Sequence, residues 1–484
     1  MVADRCDQTV IEARDNNGLK ALHWVLGLML VSILQVSTSP EPYYLPTYNN
    51  GALAAFIVSC ALALMWSVNV LVRHLDPDVR VPFWFILWPC ATFAFARMHI
   101  GIVVPPSGSF VASLLSGLFV AVSLLAAFKG RHLAWVAFAS LMLGVFWRIH
   151  YFAIFSIDPA RADMLPLVTL ALEQLFSGHS PYRIYAMPWP LPLTYLPGTF
   201  LPYKLPLLLG IDMRWATVFA HGLCLAAMLW LARKTRGDKW LNAPGFIVWA
   251  VVFISAEQTF FDATNTAPWG WAALVWLVAT LAIQSRHTGI AFGLALSTTP
   301  LALALLPLTL ACLFRSPFSR SQRLFQVASG FSIAAIGIVP FWLWSPQAFT
   351  AGLVHWFNDL DGWSADKWRQ GAWWARNPGF AGLFWSHGWQ GALRLFQWTG
   401  VIALAVGWHR RRVSSALVPF VAAFSFLWFI AFNHMLWPYF FHPVILLLAL
   451  GWSGDTRLGN HCKNRSISDG DASSAAQGGA GAGV

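Results

Sequence analysis

Charge is scarce in this chain. Of its 484 residues only 11% are Asp, Glu, Lys or Arg, against about 25% in an ordinary soluble domain. A chain this poor in charge and 57% hydrophobic cannot cover its surface with polar groups, so most of that surface must face lipid. Acidic residues are the rarer sign, 20 against 31 Lys and Arg. The resulting +11 does not call for nucleic acid, because the basic residues gather in short loops between apolar runs, where positive charge sets membrane topology. Cysteine is sparse as well. Its six copies (Cys6, Cys60, Cys90, Cys224, Cys312, Cys462) are scattered with no CxxC, which argues against a disulfide framework and a zinc site. The chain has no P-loop, no GxGxxG before a helix and no polar stretch long enough for a nucleotide-binding domain. That argues against an ATP-driven pump and against a cytoplasmic nucleotide-sugar enzyme. Period-two alternation is missing, which excludes a β-barrel. Residues 1–18 lack the layout of a cleavable signal peptide, so the first apolar run is expected to be a retained span.

What is present is a series of apolar runs long enough to cross a bilayer, each near the roughly 20 residues required. They read as 20–38, 51–72, 82–104, 110–127 and 133–155, and later as 324–343, 396–408, 414–433 and 437–452. The loops alternate. Residues 73–80 and 128–133 are basic, whereas 38–50 and 105–109 hold no Lys or Arg. The positive-inside rule puts the basic loops and the N-terminus in the cytoplasm. Residues 156–206 then fall outside. From the other end, the basic loops 315–323 and 409–412 independently place 344–395 outside and the tail 453–484 inside, a tail expected to be disordered because residues 466–484 are rich in Ser, Ala and Gly. In the middle two solutions compete. The favoured one makes 191–209 a proline-broken interfacial segment and folds 289–314 as two half-helices around Thr298-Thr299-Pro300.

The polar residues collect in Phe155–Pro206. Asp158 and Asp163 stand at its start, Arg148, His150 and Arg161 beside them, and Arg183 and Lys204 further on. A carboxylate among cations at a lipid–water boundary suits transfer from a lipid phosphate. The carboxylate takes the proton of an attacking hydroxyl, and cations hold charge on the departing phosphate. A plainer reading stands beside it: Asp163, followed by Pro166 in a first turn and closed by Ser177-Gly178, is ordinary helix punctuation, an N-cap on a surface helix. Arg148 and His150, taken singly, read as interfacial snorkelling. Asp158 and Asp163 lie five apart, which is no DxD pair, and His434 and His442, eight apart, match no common ligand pattern. No metal and no cofactor is expected.

The order Asp163, surface helix, Gly178, Pro181-Tyr182, Tyr195-x-Pro197, then Asp212 and Arg214 in GIDMRW, resembles the GT-C superfamily of polyprenyl-phosphate-dependent glycosyltransferases, closest to glycosyltransferase family 87-type mannosyltransferases. Residues 293–307, 340–349 and 432–451 are similar to later segments of that family. The resemblance implies an all-α polytopic integral membrane protein of about 12–14 transmembrane segments with an outer juxtamembrane helix, in the bacterial inner membrane with its active site facing outside. It implies a cytoplasmic tail (1–19), an N-terminal transmembrane addition (20–132) and a GT-C-like core (133–452). It implies a polyprenyl-phosphate sugar donor, a hexose such as mannose, a lipid or glycan acceptor, and inversion, with Asp163 as general base and Asp158 as runner-up. Arg148, His150, Arg161, Arg183 and Lys204 would meet the donor phosphate. Tyr182 and Tyr195 would meet acceptor or sugar.

Two further clusters are candidates for the acceptor or sugar. Residues 257–266 carry Glu257 and Asp262, with a solvated turn as the plainer reading. Loop 344–395 interleaves Trp363, Trp373 and Trp374 with charges such as Arg376. Flat aromatic faces beside hydrogen-bonding groups fit a sugar ring, and a loop resting on headgroups fits equally. The rival function is a transporter or flippase for a lipid-linked substrate, with Arg97 and His99 marking a pathway. A non-catalytic protein that binds lipid-linked sugar is the third reading.

Overall fold

Nearly every long apolar run of the described chain is a helix. The computed structural model describes residues 133–454, apart from 161, 188–189, 255, 357–379, 382–383, 385–387, 411–413 and 434–437. The expected spans before residue 128 and residues 455–484 of the expected tail lie outside the described residues.

In chain order the elements are α1 (Leu133–Ile154), α2 (Met164–Phe176), β1 (Ile184–Ala186), β2 (Pro190–Pro192), α3 (Pro197–Phe200), α4 (Lys204–Leu208), α5 (Trp215–Arg236), α6 (Gly245–Ile254), α7 (Ala256–Thr264), α8 (Pro268–Ala282) and α9 (Thr288–Thr298). They continue with α10 (Leu306–Arg315), α11 (Arg320–Trp344), α12 (Pro346–Thr350), α13 (Leu393–Arg410), α14 (Val418–Ala431) and α15 (His442–Ser453). The strands form one antiparallel ribbon, Tyr185 opposite Leu191. The fold is otherwise helical. Among the described residues three helical stretches are long and apolar enough to cross a membrane: Leu133–Ala153, Trp215–Asn242 and Arg320–Trp344.

Proline decides the middle of the chain. Residues 191–209 are not one helix. They pass from β2 through α3, a 3₁₀ turn at Leu201–Tyr203 and α4, with a proline in the first turn of α3 and of the 3₁₀ turn. Each proline lacks an amide hydrogen and stops the ladder before it. Residues 288–315 break in the same way. Pro300 forces Thr299 out of the helical region, to φ −140° and ψ 130°, and a 3₁₀ segment, Pro300–Leu305, leads into α10. The break frees carbonyls, and the Thr199 hydroxyl donates to one of them, Thr298 O. Gly198 makes that approach possible, because a Cβ there would strike Ser297 O at 2.7 Å.

Two apolar cores result. The larger lies in the bundle around α15, all of whose residues are buried. The smaller lies under α2 and the residues after it, where Leu165, Leu172, Phe200 and Tyr203 meet. Trp269 packs against both. Arginines close the helix ends. Arg214 donates to Phe152 O and Phe155 O at the end of α1 while its guanidinium pairs with Asp212 at 2.5 Å. Arg236 donates to Trp452 O, Ser453 O and Gly454 O at the end of α15. These carbonyls have no helical partner of their own, and a cation there also meets the negative end of the helix dipole.

Helices α9 and α11 touch through their backbones. Gly289 and Gly293 on one face Gln326 O and Gly330 O on the other. Small residues of this kind let apolar helices associate where lipid removes any gain from burying apolar area. A Cβ on Gly293 would also lie 2.7 Å from Ile333 Cβ. Gly293→Ala is therefore expected to cost about 1–3 kcal/mol, as overpacking does, and the thermal midpoint in detergent checks it.

Candidate active site at the seam between two cores

Asp163 occupies the residue before α2, yet it does not cap that helix. Its backbone is helical (φ −89°, ψ −22°) and its side chain makes no capping bond. Its carbonyl already accepts from Leu167 N at 2.9 Å. The N-cap reading is thereby corrected: a cap residue needs an extended backbone to turn its oxygen back to the first amides, and Asp163 lacks one. Burial raises the carboxyl above its ordinary range, opposed by a bond from its own backbone N–H. Asp158 behaves otherwise. Its Oδ1 accepts from Ala160 N at 2.9 Å, which closes a local turn.

Asp163 lies near enough to Tyr195 to act on it electrostatically. The Tyr195 phenol is pushed well up, first by burial and then by the charges of Asp163 and Tyr439. It therefore stays protonated and remains a donor at neutral pH. The loop carrying it is pinned from beneath by Tyr182. Tyr182 is 2% exposed, its ring lies against Phe200, Phe341 and Phe349, and its hydroxyl donates to Tyr195 O at 2.8 Å. The expectation that Tyr182 touches sugar or acceptor is corrected by those contacts: its ring is packed in the core and its hydroxyl is already spent on Tyr195 O. Tyr182→Phe is expected to cost about 1 kcal/mol and Tyr182→Ala about 3–5 kcal/mol, both read from thermal unfolding.

Arg183 and Lys204, expected around Asp163, do not reach it. Arg183 donates to Gln174 Oε1 at 2.9 Å and Lys204 lies 5.2 Å from the Phe176 ring. Both stand at the C-terminal end of α2. A helix of 13 residues is about 20 Å long, so both are a helix length from Asp163.

Arg148 and Asp262, expected to serve phosphate and acceptor separately, pair with each other. Both are 0% exposed. Arg148 Nε lies 2.6 Å and Nη2 2.5 Å from Asp262 Oδ2. The remaining donors go to Gly144 O and Phe253 O, each at 2.9 Å, and the guanidinium stacks 3.9 Å from the centroid of Phe253. The other carboxylate oxygen, Oδ1, sits 2.8 Å from both His221 Nε2 and Gln258 Nε2. Arg148 precedes the end of α1 by six residues and His221 follows the start of α5 by six. At 1.5 Å per residue that is about 9 Å from each end, beneath the loop that carries Asp163.

Sequence reasoning missed His221, and it named Gln258 only within the 257–266 turn and His442 only as fitting no ligand pattern. The signal was a lone polar residue in an apolar run and a Gln258/Asp262 pair at i, i+4, both common in inert helices. His442, 3% exposed, packs against Trp271 at 4.8 Å and Phe261 at 5.7 Å. Phe261 also meets Tyr439 at 5.8 Å, which joins the buried cluster to the Tyr195 side of the seam. Tyr203 completes the link, its hydroxyl 2.7 Å from Thr217 Oγ1 of α5. Arg161, Trp363, Trp373, Trp374 and Arg376 lie outside the described residues, as do the side chains of His150 and Glu257. Among the described residues no group of His, Cys, Asp and Glu is arranged to hold a metal ion. No family model, curated protein or solved structure matches this chain.

Proposed function

We propose that the chain is a multi-pass glycosyltransferase of a bacterial inner membrane, working on its outer face with a polyprenyl-phosphate hexose as donor and a lipid or glycan as acceptor. The observation that carries this reading is Asp163: a half-buried carboxylate, raised by burial, not used as a helix cap, and beside a protonated phenol. A general base of raised pKa accepts a proton more readily than an ordinary carboxylate. The apolar composition and the three helices long enough to span support membrane residence. The loop charges support the outward placement of residues 156–206.

In the proposed step the acceptor oxygen attacks the anomeric carbon while its proton passes to Asp163. The bond from that carbon to the phosphate oxygen breaks, and the lipid phosphate leaves with the electron pair. One displacement inverts the centre. With Arg148 committed to Asp262, the Tyr195 phenol is the donor beside Asp163 among the described residues that can meet the phosphate, and Arg161 and His150 stay candidates from the sequence alone.

Membranes containing the protein should move label from an undecaprenyl-phosphoryl hexose onto an acceptor. One observation favours a second reading, a transporter of a lipid-linked substrate: ionisable groups buried among apolar helices often mark a pathway, and Arg148–Asp262–His221 is such a group. Movement of labelled lipid across vesicles without a new covalent product would select it.

A further inference from the structure

The Arg148–Asp262–His221–Gln258 cluster bonds within itself, but its neighbour His442 does not share in those bonds. His442 Nδ1 is closed off from solvent and has no hydrogen-bond partner among the described residues. The imidazole sits at the start of α15, and Asp262 and His221 both act on it electrostatically. A buried nitrogen left unpaired is costly, and nearly all such groups in folded proteins are paired by protein or by an ordered molecule. Phenylalanine would satisfy the same aromatic contacts without that cost.

The surroundings narrow what the partner can be. Trp271 and Phe261 present aromatic surfaces to the ring, and Tyr439 lies across Phe261. The groups that act on the ring electrostatically are His221 and Asp262, and the Asp262 carboxylate is itself paired with Arg148. Among the described residues, an aromatic collar beside a buried carboxylate suits a neutral hydroxyl with C–H faces better than it suits an anion, which that carboxylate repels. The same seam carries Asp163 and Tyr195, linked through Tyr439.

We infer that His442 is a sugar-contacting residue whose Nδ1 pairs with a hydroxyl of the hexose to be transferred. The assignment rests on the glycosyl-transfer reading and goes beyond it by naming where the ring is held. It makes His442 a specificity-determining group: it touches the sugar and leaves the lipid phosphate alone.

The test compares binding of undecaprenyl-phosphoryl mannose, undecaprenyl-phosphoryl glucose and undecaprenyl phosphate to the full chain in lipid nanodiscs. His442→Phe keeps the aromatic packing and removes the nitrogen. It is expected to unfold at the wild-type temperature or above, to bind the preferred sugar lipid about tenfold more weakly, and to bind undecaprenyl phosphate unchanged. His442→Asn places an amide nitrogen near the position of Nδ1 and is expected to recover part of the sugar-lipid affinity. His442→Gln extends past it and is not.

A His442→Phe variant that retains the preference for sugar lipid overturns the inference and leaves a buried water as the partner of Nδ1. Equal loss for sugar lipid and bare lipid phosphate overturns it in favour of a phosphate contact. A wild-type protein with no preference for either sugar lipid over undecaprenyl phosphate overturns the transfer reading, and this inference with it.

Discussion

Asp163→Asn is expected to lower glycosyl transfer by about 10²–10⁴-fold, the usual contribution of a positioned base, while the protein stays folded in detergent. The expectation joins two features. The side chain bonds no helix amide, so its loss removes no cap. Its carboxyl is raised by burial, so the ionised form is less favourable in the folded chain than in the unfolded one. A raised folded pKa contributes stability below the unfolded value, and that contribution is lost as pH rises through the folded value. At neutral pH the charge is therefore a burden, and the asparagine variant should melt at or above the wild-type temperature. Activity runs the other way. The base works only when ionised, so kcat/KM should climb with pH along a limb centred above the ordinary carboxylate value and attributable to Asp163. Normal turnover in the asparagine variant would remove Asp163 from the mechanism.

Breaking the buried pair is the second large effect. Arg148→Met or Asp262→Leu alone is expected to cost about 3–5 kcal/mol, because either leaves a charge buried without its partner. The double substitution should be much less damaging than the sum, since apolar pairs of similar volume often replace buried ion pairs at little cost. Its recovery should be incomplete, because His221 and Gln258 lose the oxygen they share. Thermal unfolding of the four proteins in detergent closes the cycle, and simple additivity would show that the two charges do not depend on each other. The pair joins α1 to α7, and His221 brings in α5. Three helices are thus locked beneath the loop that holds Asp163, and the single variants should also loosen that loop.

Sequence and structure part company where contacts are distant along the chain. The helices at 133–154, 320–344 and 442–453 were legible as apolar runs, because helix formation depends on neighbours in sequence. The break at Thr299 was legible from Pro300, and the end of α2 from Gly178, which takes φ +76°. The site was legible only in part. Asp163 stood out as a carboxylate at the head of a polar stretch, but composition could not say whether it caps α2. Arg148, Arg183 and Lys204 read as one cluster because they flank Asp163 in sequence. In space the length of α2 carries two of them away, and the third pairs with a carboxylate 114 residues distant.

The sequence by itself determined a chain with long apolar runs, the helical segments, and the proline and glycine positions that end them. Each of those follows from local backbone sterics or from the cost of wetting apolar side chains. Only the tertiary structure decided that Asp163 makes no capping bond to its helix, that Tyr182 is a core residue, that Arg148 belongs to Asp262, and that His442 keeps a nitrogen without a partner among the described residues. Those outcomes depend on which buried donors meet which acceptors, and that is settled by helices packing against one another, not by any stretch of sequence alone.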